Sequence, residues 1–298
     1  MFNGVICPIV TAFDSCGEID YKAQGLLVER LISKGVDGIL FCGGLGEFAA
    51  VSFEEKKAFF KWAVEKIEKR IWMLAGTGGT NVREMVELTE YCRLIGADGA
   101  VVISPYFGQL DECALYSYYA SAAEPGLPIV LYNFPERTKV SLSAEFILRL
   151  TADFKNIVGI KDTVESMKHT NELIDAVMPV RDNFSVLSGY DEYFISNLIS
   201  GGSGVLSGLT NVDPEVFIEI KEAFECRDLK KLCELQAKIN KLMKIYTATN
   251  SLVSAVKYAL HTIMPELGCF LRAPFAPPTQ KERSIIDEIM KEVKIYDR

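Results

Sequence analysis

The chain has 298 residues, 49% of them hydrophobic and 24% charged, which suits one large α/β barrel or two ordinary globular domains. A net charge of −8 and an isoelectric point near 5.1 argue against nucleic acid or an anionic membrane as the main partner, because both select basic surfaces. No apolar run approaches the roughly 18 residues that a membrane span needs.

The opening "MFNGVICPIV" lacks the basic stretch and small-residue cleavage site of a signal peptide and reads as a first strand. Apolar runs and helical patterns then alternate through residues 4 to 208. The runs are "GVICPIV" (4–10), "GILFCG" (38–43), "WMLAGT" (72–77), "GAVVIS" (99–104), "PIVLYN" (128–133), "IVGIKD" (157–162), "FSVLSG" (184–189) and "GVLSG" (204–208). They are almost continuously apolar, as parallel strands covered on both faces should be. Between them, "SFEEKKAFF" opens with Ser52 and Glu55 at capping-box spacing. In "TNVREMVELTEYCRLIG", Val82, Met85, Val86, Leu88 and Leu94 predict one apolar face, and Gly96 predicts a C-terminal cap. "KGVDG" (34–38), "IGADG" (95–99) and "GGSG" (201–204) look like one recurring turn that feeds the next strand.

Eight such units predict a TIM (β/α)8 barrel over residues 1–225. A doubly wound open sheet fits less well, since no G-x-G-x-x-G follows the first strand. From residue 226 to residue 298 the pattern is helical only, read as an extension packed on the barrel. "RAPFAPPT" (272–279) reads as a stiff ordered loop.

The eight cysteines are scattered, no pair forms C-x-x-C, and several lie in apolar runs. This predicts a reducing cytoplasm without a disulfide framework. The two histidines, His169 and His261, have no zinc-ligand spacing, so no metal is expected.

Chemistry in a TIM barrel sits at the C-terminal ends of the strands. Lys161 ends the sixth run, in "NIVGIKDT". A strand-end lysine often extends to water. An apolar setting instead favours the free amine, the form that attacks a ketone. Tyr132 ends the fifth run, where it could shuttle a proton to a substrate oxygen or simply cap the core. The glycines of "CGGLGEF" (42–48) would let backbone N–H groups approach a carboxylate, or make an ordinary turn. "GTGGTN" (76–81) lacks the Gly-Lys-Ser/Thr ending of a phosphate loop.

Three motifs occur in order: G-x-x-G-E at Gly43–Glu47, Y-N-x-P at Tyr132–Pro135 and G-I-K at Gly159–Lys161. With them, nearly the whole chain resembles the dihydrodipicolinate synthase / N-acetylneuraminate lyase superfamily of pyruvate-dependent class I aldolases. The resemblance implies that Lys161 is the Schiff-base lysine and Tyr132 the active-site tyrosine. No cofactor is implied, since the lysine supplies the electron sink. Pyruvate and an aldehyde are the implied small-molecule partners, and a homotetramer of paired dimers the implied assembly.

The synthase branch carries two threonines where this chain has Gly44 and Leu45. The tyrosine that it borrows from a neighbouring subunit aligns with Phe107, with Tyr106 beside it. Arg137 matches its arginine near the aldehyde's carboxylate. The sugar-acid branch finds more matches. Gly189, Asp191 and Glu192 in "GYDE" resemble its segment for sugar hydroxyls, although acids also suit a first helical turn. Thr163 matches its threonine, and Leu206 and Ser207 its positions after the last strand. The motifs look most like the 2-keto-3-deoxy-gluconate aldolases. The synthase, an N-acetylneuraminate lyase and a non-catalytic keto-acid-binding barrel are the alternatives.

Overall fold

The computed structural model describes residues 2–108 and 110–293. All eight predicted runs form strands: β1 (Gly4–Pro8), β2 (Gly38–Phe41), β3 (Trp72–Gly76), β4 (Gly99–Ile103), β5 (Ile129–Asn133), β6 (Ile157–Asp162), β7 (Ser185–Ser188) and β8 (Gly204–Leu206). They pair in parallel in chain order, and β8 closes on β1. The fold is a TIM barrel, not an open sheet. The strands end up to two residues short of the apolar runs because the last residues leave the ladder for the mouth, as Cys42 does at φ 51°.

The recurring turn has a common physical task. Asp37 accepts the Val5 N–H and Asp98 the Met73 N–H, each at 2.8 Å, and the Ser203 hydroxyl accepts the Val186 N–H at 3.0 Å. Each side chain satisfies a donor at the start of the preceding strand, where the tilted barrel offers no backbone partner. A glycine then begins the next strand.

Phe2, Ile6, Leu40, Leu74, Val101, Val130, Leu187 and Leu206 fill the barrel, with Phe2 and Trp72 edge to face at 5.4 Å across its lower end. The interior is a packed core that leaves the upper mouth for chemistry.

Helices α1 (Tyr21–Ser33), α2 (Phe53–Ile67), α3 (Val82–Ile95), α4 (Glu112–Ala123), α5 (Pro135–Thr138), α6 (Ala144–Asp153), α7 (Met167–Val177), α8 (Phe194–Ile199) and α9 (Pro214–Glu225) follow the strands. The Ser52–Glu55 capping box is formed, and Gly96 caps α3 at φ 88°. The predicted face of α3 needs correction. Met85, Leu88, Thr89 and Cys92 make the buried stripe, whereas Leu94 lies off it and is exposed, as is Val82 in the first turn.

Four more helices follow: α10 (Leu229–Leu242), α11 (Lys244–Thr247), α12 (Leu252–Ile263) and α13 (Gln280–Glu292). α10 packs on α9, and α12 on the turn after β8 and on α13. The proline-rich segment is fixed by Arg272, which donates to the carbonyls of Gly17 and Ala50 and pairs with Glu55. No helix among the described residues is long and apolar enough to cross a membrane.

Candidate active site

β5 and β6 are neighbours, with Tyr132 opposite Lys161 and Asn133 opposite Asp162. Strand alternation turns the first pair into the mouth and the second outward. Lys161 is only 7% exposed, and its Nζ lies 4.2 Å from the centre of the Tyr132 ring. The other face of the motif is structural, with the Asn133 amide donating to the Asp162 carboxylate at 2.8 Å.

The predicted neighbours Thr163 and Gly189 lie against this lysine. A Cβ on Gly189 would collide with the Thr163 hydroxyl and stand 3.0 Å from Lys161 Cε. The buried Thr163 hydroxyl has no hydrogen-bond partner among the described residues.

In the G-x-x-G-E turn, Gly46 is packed against the Cys42 backbone and the Ile9 carbonyl, so a Cβ there would press on main-chain atoms at 3.1–3.2 Å. Gly44 is exposed and Leu45 half-buried, leaning toward Gly208. Among the described residues, the N–H groups of Gly44 and Leu45 have no acceptor, whereas those of Gly46 and Glu47 bond to Gly43 and Gly44. Glu47 faces away from the mouth, toward Lys257 of α12.

Tyr106 is half-buried, its ring 6.1 Å from Phe48, and burial pushes its hydroxyl pKa up. Phe107 beside it is fully exposed at φ 83°, in the left-handed region that disfavours a bulky side chain. Arg137 sits on the rim. Its guanidinium lies 5.9 Å from the Phe134 ring, which stacks on Tyr132 at 5.9 Å and 19°. It is exposed and faces Glu136 at 3.6 Å, one ring away from the lysine's neighbour.

Three of the residues expected at the ends of strands seven and eight have side chains already engaged within the fold. The Asp191 carboxylate accepts three hydrogen bonds. Its Oδ1 accepts from the Ser207 hydroxyl and, at 3.0 Å, from the Leu209 N–H, and its Oδ2 accepts from the Tyr246 hydroxyl at 3.0 Å. Burial pushes its carboxyl pKa up, while these hydrogen bonds and the Lys161 charge pull it down. Ser207 is likewise committed to Asp191. The Leu206 side chain belongs to the apolar fill of the barrel and supports the floor of the mouth. Glu192 differs: it is half-buried, and its Oε2 has no partner among the described residues. Burial raises its pKa, helped by the nearby Asp191 and Glu165 charges. Its backbone carbonyl is held by the Gln236 amide of α10 at 3.1 Å.

Sequence reasoning missed Tyr246 and Gly208, which meet at the Asp191 corner: a Cβ on Gly208 would collide with the Tyr246 hydroxyl and Leu45. Tyr246 comes from a helix far along the chain, and its local sequence "KLMKIYT" carries no signal of it.

Residues 1–293 match the model of the dihydrodipicolinate synthetase family. YagE of Escherichia coli K12, named provisionally as a 2-dehydro-3-deoxy-D-gluconate aldolase, is 32% identical, over 99% of this chain and 98% of its own. The crystal structure of YagE in complex with pyruvate superposes with a TM-score of 0.96, covering 99% of both chains at 32% identity. YjhH of the same strain, provisionally a 2-dehydro-3-deoxy-D-pentonate aldolase, is 35% identical over 97% of this chain and 96% of its own. The 4-hydroxy-tetrahydrodipicolinate synthase of Syntrophus aciditrophicus is 36% identical over 98% of each chain. A whole-chain family match, these relatives and a barrel that carries its lysine and tyrosine on adjacent strands agree: the chain belongs to the dihydrodipicolinate synthetase family of pyruvate-dependent Schiff-base lyases.

Proposed function

We propose that this protein is an aldolase that cleaves a 2-keto-3-deoxy sugar acid, such as 2-keto-3-deoxy-gluconate, to pyruvate and an aldehyde. The carrying observation is the buried Lys161 amine set 4.2 Å over the Tyr132 ring at the mouth of a closed barrel. The Lys161 amine attacks the C2 ketone, Tyr132 gives its hydroxyl proton to the departing water, and a protonated imine forms beside the tyrosine phenolate. The free N–H groups of Gly44 and Leu45 hold the C1 carboxylate. Tyr132 takes the C4 hydroxyl proton as the C3–C4 bond breaks. The bonding pair moves into the imine, forming an enamine, and the aldehyde departs. Protonation at C3 and hydrolysis then release pyruvate and the free lysine.

Glu192, with an unpartnered oxygen, suits a hydroxylated substrate, and the Thr163 hydroxyl adds a second open polar group beside the lysine. Asp191 and Ser207 act indirectly, by fixing the corner on which Glu192 stands. Family analogy makes the assembly a homotetramer, which would give the exposed Phe107 a partner surface.

The synthase reaction, pyruvate with aspartate semialdehyde, is the second reading. It is favoured by the relative from Syntrophus aciditrophicus and by Arg137 on the rim. The missing hydroxyls at Gly44 and Leu45 and the phenylalanine at 107 weigh against it.

The test is pyruvate release from purified protein supplied with 2-keto-3-deoxy-gluconate, read with a coupled dehydrogenase. Release should vanish in Lys161→Ala, and normal turnover in that variant would sink the mechanism. Silence with the sugar acid, together with consumption of aspartate semialdehyde that Arg137→Ala abolishes, would favour the synthase.

A further inference from the structure

The β5–β6 pairing slips just below the site. Ile129 faces Ile157 but Val130 faces Gly159, so β6 carries Val158 as an extra residue. A bulge breaks the alternation that normally fixes register, and the next residue of β6 above it is a glycine with no side chain to lock. Three residues above the slip, Tyr132 nevertheless meets Lys161.

One step further, the outward pair is tied from every side. Asn133 donates from Nδ2 to Asp162 Oδ1 at 2.8 Å, and its Oδ1 accepts the Leu142 N–H at 3.1 Å. Asp162 Oδ2 accepts the Thr170 hydroxyl at 2.7 Å and faces His169 Nδ1 at 3.0 Å, both from α7. The backbone joins in: the Asn133 carbonyl accepts the Thr163 N–H at 2.9 Å, and the Asp162 carbonyl the Gly189 N–H at 2.8 Å. Thr163 and Gly189 are the residues that wall in Lys161. Asn133 and Asp162 are both buried, and an apolar pair would fill the same space without the desolvation cost of a carboxylate.

We infer that Asn133 and Asp162 form a clamp that holds Tyr132 and Lys161 in working register, so both are positioning residues of the reaction. The inference rests on the reading of Lys161 and Tyr132 given above. The clamp acts on the alignment of the tyrosine hydroxyl with a substrate already held by the lysine. Its loss therefore lowers kcat and leaves KM nearly unchanged.

The experiment reverses the hydrogen bond. Asn133→Asp sets two carboxylates against each other, and adding Asp162→Asn restores one donor facing one acceptor. In the double variant the new amide at position 162 can turn its oxygen to Thr170 and His169, and the new carboxylate at position 133 still accepts the Leu142 N–H. Cleavage kinetics with 2-keto-3-deoxy-gluconate, borohydride trapping of the pyruvate imine and circular dichroism are measured for both, beside Lys161→Ala.

Asn133→Asp should fold, trap pyruvate and lose roughly tenfold to a hundredfold in kcat. The double variant should return to within about threefold of wild type. Wild-type kcat in Asn133→Asp, or a double variant no better than the single, overturns the clamp. If Asn133→Asp does not fold, Thr170→Val decides, since it removes one support from the α7 side. A kcat loss of about threefold at unchanged KM supports the clamp, and wild-type kcat overturns it. Turnover or trapping in Lys161→Ala would instead overturn the Schiff-base reading itself, so the two failures are separable.

Discussion

Glu47, in the turn after β2, is ion-paired with Lys257 of α12, and both side chains are almost fully buried. Lys257 also donates to the Phe270 carbonyl at 2.8 Å and lies 4.4 Å from the Phe13 ring centre, with Arg272 at 4.5 Å from the same centre. The glutamate of G-x-x-G-E thus anchors the C-terminal helices to the mouth of the barrel. Removing one partner of a buried pair strands the other charge. Glu47→Gln should cost about 3–5 kcal/mol in urea unfolding, and adding Lys257→Met should recover most of it. No recovery would place the loss elsewhere, in the Arg272 N–H bond to Glu47.

Gly189 has no room for a methyl group, because the Thr163 hydroxyl and Lys161 Cε already occupy it. Gly189→Ala should therefore push the lysine off the Tyr132 ring. kcat should fall roughly a hundredfold while the melting temperature changes little, since the mouth absorbs the displacement. A large drop in melting temperature at unchanged kcat would assign the glycine to the fold alone.

The barrel was legible because eight buried strands leave eight apolar runs, and because the turns that satisfy their first donors repeat as Asp37, Asp98 and Ser203. The pair Lys161 and Tyr132 was legible because each ends a strand, where a polar residue breaks an apolar run. The capping box of Ser52 and Glu55 was legible too, but not its second use: Glu55 also takes both arms of Arg272. Contacts of that kind join distant stretches and have no local period. For the same reason the Asp191 carboxylate looked available, since the residue that occupies its second oxygen, Tyr246, comes from α11. The α3 face was misjudged because Leu94 is apolar but lies off the stripe set by Met85, Thr89 and Cys92.

Tyr246→Phe removes one hydrogen bond from a buried carboxylate and leaves the ring in place. It should cost about 1.5–3 kcal/mol in stability, the range for bonds to charged groups. Because Glu192 stands next to Asp191, KM for the sugar acid should rise more than kcat falls. An unchanged KM for the sugar acid would separate the Asp191 corner from substrate binding.

His169 gives the clamp a proton-linked side. Its hydrogen bond to Asp162 is the largest cause holding its pKa above the ordinary 6.5. Burial opposes this shift, and the Asp162 charge, the Leu142 backbone and Glu172 add to it. The folded protein therefore binds this proton more tightly than the unfolded chain does. The stabilisation is complete below about pH 6.5 and fades as pH rises through the raised folded value. Wild type should lose melting temperature as pH rises above about 6.5 by calorimetry, and His169→Gln should flatten that fall. A His169→Gln curve parallel to that of wild type would show that this histidine does not carry the dependence. A wild-type curve that climbs over the same range would show the opposite sign, with the neutral imidazole as the form that the fold prefers.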